Sequence, residues 1–100
     1  MAKKSVIQRN INRLKLINKY SAQREAIKNE IKRTSKVEKK ISLYSNISRL
    51  PRDSSKVRLR SRCWVTGRGR SVYKNFGLSR HMFRFMASNG LLPGVVKSSW

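Results

Sequence analysis

The sequence predicts a mainly α-helical chain with irregular extended segments: long N-terminal helices, a basic linker, then a small zinc-ribbon-like β-hairpin plus helix module that lacks zinc. Three observations carry this expectation. Apolar residues recur at helical spacing up to Leu50, and a proline followed by a serine pair then opens an arginine-rich stretch. Beyond it, Cys63, Thr66, Ser79 and Met82 stand at the offsets of a C-x-x-C, twelve-residue, C-x-x-C module, but only one of the four is a cysteine.

The first element is read from Ile7, Ile11, Leu14, Ile17, Ile27 and Ile31, which recur at three- and four-residue steps or their sums among Lys, Arg and Asn. A break is expected near Ser35, where Ser35-x-x-Glu38 has the form of a capping box. Val37, Ile41, Tyr44, Ile47 and Leu50 then form one stripe of a second helix, which Pro51 stops. Both stripes read as faces that pack on each other or on a protein neighbour. Too few large apolar residues face one way for strong lipid insertion. Residues 1–50 are thus a basic helical extension.

Residues 51–62 read as an extended arginine-rich linker, because Lys56-Val57-Arg58-Leu59-Arg60 alternates as a strand or threaded tail does. It is a candidate for phosphate contact, the alternative being a solvated loop, and its one Asp53 is expected to offset little of the charge. Residues 63–100 are a hairpin-helix module with a C-terminal tail. Cys63-Trp64-Val65 and Ser71-Val72-Tyr73 are expected as strands, with Thr66 to Arg70 as the turn that presents Arg68 and Arg70. A helix follows from about Ser79, whose hydroxyl can cap it, to Asn89, with Met82, Phe83 and Met86 inward and Gly90 as the stop. Leu91 to Trp100 should be an irregular tail pinned by Leu92, Pro93 and Trp100.

Composition then bounds the function. One hundred residues, 38% hydrophobic and 8% aromatic, supply little apolar area for a core. Twenty-five Lys and Arg against four Asp and Glu give a net charge of +21, which a compact particle holds only with a polyanion beside it. Up to Ser48 there are nine Lys and four Arg, whereas from Arg49 onward there are nine Arg and three Lys. The planar guanidinium fork grips phosphate bidentately, so the closer contacts are expected in the second half. No apolar run approaches the roughly 20 residues that span a bilayer, and the basic N-terminus has no apolar core or cleavage site of a secretory signal. A lone cysteine cannot form an intramolecular disulfide, which fits a reducing compartment.

The run from Arg60 to Trp100, RSRCWVTGRGRSVYKNFGLSRHMFRFMASNGLLPGVVKSSW, resembles the C-terminal module of the small-subunit ribosomal protein fourteen family, in its bacterial and organellar type. LPRDSSKVRLRSRC resembles the family's L-P-R-D-S or L-P-R-N-S stretch with its R-x-R-N-R-C continuation, and MAKK with the basic helix resembles the N-terminal extension. The family has a zinc form with four cysteines and a zinc-free form. The resemblance places its ligand positions at Cys63, Thr66, Ser79 and Met82, and hydroxyls and a thioether are poor zinc ligands, so no zinc and no other cofactor is expected. Trp64, Val72, Tyr73, Phe76, Leu78, Met82 and Met86 would then hold the module. Gly69 replaces the proline usual at the hairpin tip, which should loosen it before binding, and Phe85 stands where charge is common, as if covered by a protein neighbour.

The resemblance implies a structural constituent of the small ribosomal subunit that binds the 3′ major domain of small-subunit rRNA in the head and touches neighbouring head proteins. Arg49, Arg52, Arg58, Arg60, Arg62, Arg68, Arg70, Lys74, Arg80 and Arg84 are the expected RNA contacts. Tyr73, Trp64 and Trp100 could stack on bases, with core packing the preferred reading. A DNA-binding nucleoid-type protein is the alternative, since charge alone does not separate DNA from RNA, though no DNA-reading motif is present. A cationic membrane peptide is a weaker rival. Catalysis is not expected: Cys63 has only His81 as a potential base, the four acids form no evident pair, and no small-molecule substrate is implied. The abundance of Lys, Asn and Ile and the VKSSW ending point to an organelle, the mitochondrion first, with plastid or bacterial cytoplasm as alternatives.

Overall fold

No glycine or proline interrupts the chain before Pro51, and strong helix formers fill most of it. In the computed structural model, which describes residues 1–100, helix α1 accordingly runs Lys4–Arg33, with Lys32 and Arg33 complementing the negative end of its dipole. Helix α2 spans Val37–Arg49 and ends where Leu50 turns extended ahead of Pro51. Ser35 does not form the expected capping box: Lys36 occupies the N-cap with no side-chain hydrogen bond, so the break at 34–36 is set without a cap.

The chain divides into two compact units, one of Gln8–Leu59 and one of Met1–Ile7 with Arg60–Trp100. In the first, Ile17 is the one buried apolar residue, while Ile27, Ile31, Leu43, Ile47 and Leu50 are half-buried. The α2 stripe is rotated from the expected one. Leu43, Ile47 and Leu50 turn inward, and Val37, Ile41 and Tyr44 remain exposed.

The linker is not extended as its alternation suggested. It folds into two short 3-10 turns, Arg52–Ser54 and Lys56–Arg58, and polar bonds fix it to α1. The Asp53 carboxylate accepts from Arg13 Nε at 3.2 Å and from Arg58 Nη1 at 3.0 Å. Arg24 Nε donates to the buried Ser54 hydroxyl at 2.8 Å, and Arg24 Nη2 to the Pro51 carbonyl at 3.3 Å. Asp53, expected only to offset little of the linker's charge, is also a brace. The Arg58 guanidinium beside it, opposed by partial burial and aided by Arg13, holds its carboxyl below the usual carboxylate range.

The second unit contains the two-stranded antiparallel sheet β1 (Val72–Tyr73) and β2 (Leu78–Ser79), followed directly by helix α3 (Arg80–Ser88). Val72 pairs with Ser79 and Tyr73 with Leu78. The hairpin thus turns at residues 74–77, one segment later than expected, because Cys63 to Arg68 closes on itself. The Gly67 amide donates to the Cys63 carbonyl at 2.7 Å and the Cys63 amide to the Arg68 carbonyl at 2.9 Å. Trp64 joins the hairpin through one bond, its amide to the Gly77 carbonyl at 3.0 Å. At α3 the Ser79 hydroxyl accepts from the Met82 amide, as expected of a cap. Gly90, at φ 67°, ends the helix in a Schellman arrangement, with the Leu91 amide on the Met86 carbonyl and the Gly90 amide on that of Ala87. The tail is irregular, but Trp100 is fully exposed and pins nothing.

Candidate nucleic-acid interface

Three side chains at most 2% exposed form the centre of the second unit: Cys63, Leu78 and Ser79. Burial alone would push the Cys63 thiol up. The Thr66 hydroxyl and the amides of Thr66, Ser79 and Val65 outweigh it and bring the thiol down to about 6. The Thr66 oxygen, although buried, makes no hydrogen bond of regular geometry, so its effect on the sulfur is a loose electrostatic one. The chain therefore wraps one thiol with donors, as a knuckle wraps a metal thiolate. The donor set does not fit zinc: it comprises one thiol, two hydroxyls and a thioether, and nowhere do three His, Cys, Asp or Glu side chains gather.

Around this centre stand the arginines. Arg60, Arg62, Arg68 and Arg70 line one open cleft of about 790 Å³, together with Ala2, Thr66, Ser79 and His81. Two of them also build its wall: Arg60 Nε donates to the Gly69 carbonyl at 2.8 Å and Arg62 Nη1 to that of Gly67 at 2.9 Å. Half-buried Arg62, whose Nε is enclosed without a partner, is thus as much a brace as a ligand. The loop beside the cleft needs Gly67, at φ 72°, because a Cβ there would lie 2.5 Å from Ile7 Cδ1. No sequence signal announced that the first residues of the chain complete this wall, where the Ala2 amide reaches the Thr66 carbonyl at 3.4 Å.

Arg80 and Arg84, one turn apart on α3, line a second depression, and Lys74 sits exposed on the hairpin turn outside both. In the other unit Arg49 and Arg52 are exposed, while Arg58 is engaged by Asp53. Arg13 and Arg24, which sequence reasoning passed over, are the structural arginines there. Their signal was Asp53, the only acid after Glu38. The aromatics depart from the core role expected of them. Trp64 is 72% exposed and Tyr73 51%, while Phe83 sits between Tyr73 and Phe76 at centroid distances of 4.9 and 4.8 Å. Phe85 is exposed on this chain. No helix is long and apolar enough to cross a membrane.

Comparison with known proteins bears on this arrangement. Residues 46–99 match the family described as ribosomal protein S14p/S29e. Over all 100 residues of both chains, the sequence is 53% identical to small ribosomal subunit protein uS14c of Emiliania huxleyi. It is 54% identical to uS14c of Porphyra purpurea and 55% to uS14 of Trichormus variabilis, again over the full length of each.

Proposed function

Because the chain belongs to the ribosomal protein S14p/S29e family of small-subunit proteins, we propose that it binds the 3′ major domain of small-subunit rRNA and supports assembly of the subunit head. The family is structural and not enzymatic. The observation that carries the RNA reading is the gathering of Arg60, Arg62, Arg68 and Arg70 at one cleft. Guanidiniums held by backbone carbonyls can follow a phosphate path at little ordering cost. Lys74, Arg80 and Arg84 extend the contact on the same unit, and Arg49, Arg52 and Arg58 supply a separate set on the other.

The basic helical extension, the linker of 51–62 and the module of 63–100 divide this work. Exposed Val37, Ile41 and Tyr44 on α2, and Phe85 on α3, are offered to neighbouring head proteins. The module functions without zinc, and one tightly held zinc per purified chain would overturn that. The relatives are chloroplast and cyanobacterial proteins and support a plastid or bacterial ribosome over the mitochondrial one expected above. The test of the main reading is a salt series against folded small-subunit rRNA and duplex DNA. Tighter binding to the rRNA, with a steep salt slope, is expected. Equal affinity and slope on both would favour a nucleoid-type protein instead.

A further inference from the structure

Beside α3, a depression of about 520 Å³ is lined by Tyr73, Arg80, His81, Phe83, Arg84 and tail residues including Lys97. Its chemistry differs from that of the four-arginine cleft, because it pairs guanidiniums with an exposed aromatic face. Phe83 holds the Tyr73 ring from one side at 4.9 Å and 51°, and Phe76 in turn supports Phe83 at 4.8 Å and 63°. Tyr73 is nonetheless 51% exposed. About half of the residue is thus left to solvent while its ring packs on Phe83, as in a stacking platform whose ordering cost has been met before binding. The ion pairs at Asp53 engage Arg13 and Arg58 and not Arg80 or Arg84, whose i, i+4 spacing puts them on one face of α3. No acidic residue lines the site, which disfavours a cationic guest.

We propose that this depression takes one unstacked nucleotide of the bound RNA, with its base on the open face of Tyr73 and its phosphate between Arg80 and Arg84. The proposal rests on the RNA-binding reading and adds to it a contact with a base, where the four-arginine cleft reads only backbone charge. A duplex could not occupy the site, because its bases are already stacked on one another. The site therefore selects a loop, bulge or single-stranded segment of the folded rRNA.

The experiment uses the full chain with two probes of equal charge, octauridylate and an abasic ribose-phosphate octamer. The wild type is expected to bind octauridylate about tenfold more tightly, within the range of a single aromatic–base stack. Tyr73→Leu, which keeps apolar bulk against Phe83, should bring the two affinities within about twofold of each other, whereas Tyr73→Phe should keep the preference. Arg80→Gln with Arg84→Gln should weaken both probes alike. Equal binding of both probes by the wild type, or a preference that survives Tyr73→Leu, would overturn the proposal. Should Tyr73→Leu fail to fold, photocrosslinking of 4-thiouridine oligomers to the wild type decides: a crosslink at Tyr73 supports the site, and crosslinks confined to other residues overturn it. None of these outcomes touches the comparison of rRNA with DNA, so the broader reading stands or falls separately.

Discussion

The two units use the same residue type in opposite ways. In Gln8–Leu59, three arginines are bonded within the unit: Arg13 and Arg58 share the Asp53 carboxylate and Arg24 holds buried Ser54, with Ile17 as the one buried apolar side chain. In the unit built on Arg60–Trp100, Cys63, Leu78 and Ser79 form the buried centre, and the arginines are arranged around its rim. One unit spends guanidiniums on fixing its own linker. The other fixes its loops largely through backbone bonds and glycines, which leaves most of its positive charge for a partner. A chain of +21 with so little buried apolar surface tolerates its own repulsion best when that rim is neutralised. Net charge alone is therefore a poor guide to which arginines meet RNA.

If the second unit depends on its small centre, Leu78→Ala should have the largest effect. Leu78 is 2% exposed and occupies β2 directly before the α3 cap. Truncation of a buried leucine costs about 2–5 kcal/mol, enough to melt a module with so few buried groups. Loss of the near-ultraviolet signal of Trp64, with far-ultraviolet helicity from α1 retained, would separate the units. Loss of both together would show that they unfold as one.

Next in size is the rim. Arg68→Gln with Arg70→Gln removes two charges from the four-arginine cleft without touching the carbonyl bonds of Arg60 and Arg62. The slope of log affinity for rRNA against log salt should fall by about 1.5, and affinity by roughly ten- to a hundredfold. Arg13→Gln, at an arginine bonded within its unit, should leave the salt slope unchanged. A drop in slope for Arg13→Gln equal to that of the rim pair would erase the distinction between the units.

The third test reads the buried centre itself. Because the Cys63 thiol is drawn down to about 6 in the folded chain, while an unfolded cysteine titrates near ~8.5, the unfolded state binds more protons between those values. Stability should therefore rise with pH across that window, with the contribution fully present above the unfolded value and lost as pH falls through about 6. Cys63→Ser should flatten the dependence and cost about 1.5–3 kcal/mol near the alkaline end, the worth of hydrogen bonds to a charged acceptor. Denaturant midpoints at several pH values measure this. A slope unchanged by Cys63→Ser would assign it to another group.

The sequence makes much of this legible, and its failures share a cause. The helical stretches up to Leu50 and the Ser79-capped, Gly90-terminated α3 follow from local propensity and capping, which depend on near neighbours. The hairpin was misplaced because the turn signal at Thr66-Gly67-Arg68-Gly69 was real but served a closed loop around Cys63, and the pairing that forms uses Leu78-Ser79 instead. The α2 stripe was rotated because Val37, Ile41 and Tyr44 have the right spacing for a core but no partner on this chain. The linker alternation predicted a strand, and Asp53 and Ser54, bonded to arginines from α1, produced turns. Propensity cannot see a partner forty residues away.

The smallest expected effect belongs to that long-range brace. Asp53→Asn removes the acceptor shared by Arg13 and Arg58, but the side chains are 28–41% exposed, where solvent and salt screen such pairs. A small fall in the melting temperature of the isolated chain is therefore expected at neutral pH. The sign of its pH dependence is the decisive part. The Arg58 hydrogen bond, opposed by burial and aided by Arg13, depresses the folded carboxyl below its usual value of 3.8. The brace should thus stabilise the fold above about 4 and fade as pH drops through the depressed value, so wild type and Asp53→Asn should converge in strong acid. Amide exchange at residues 52–58 provides the local reading: faster exchange in the variant at neutral pH, with exchange in the Cys63 loop unchanged, is the expected result. If the Cys63 loop also loosened, the internally bonded arginines of one unit would be supporting the rim of the other, and charge spent on folding could no longer be separated from charge reserved for RNA.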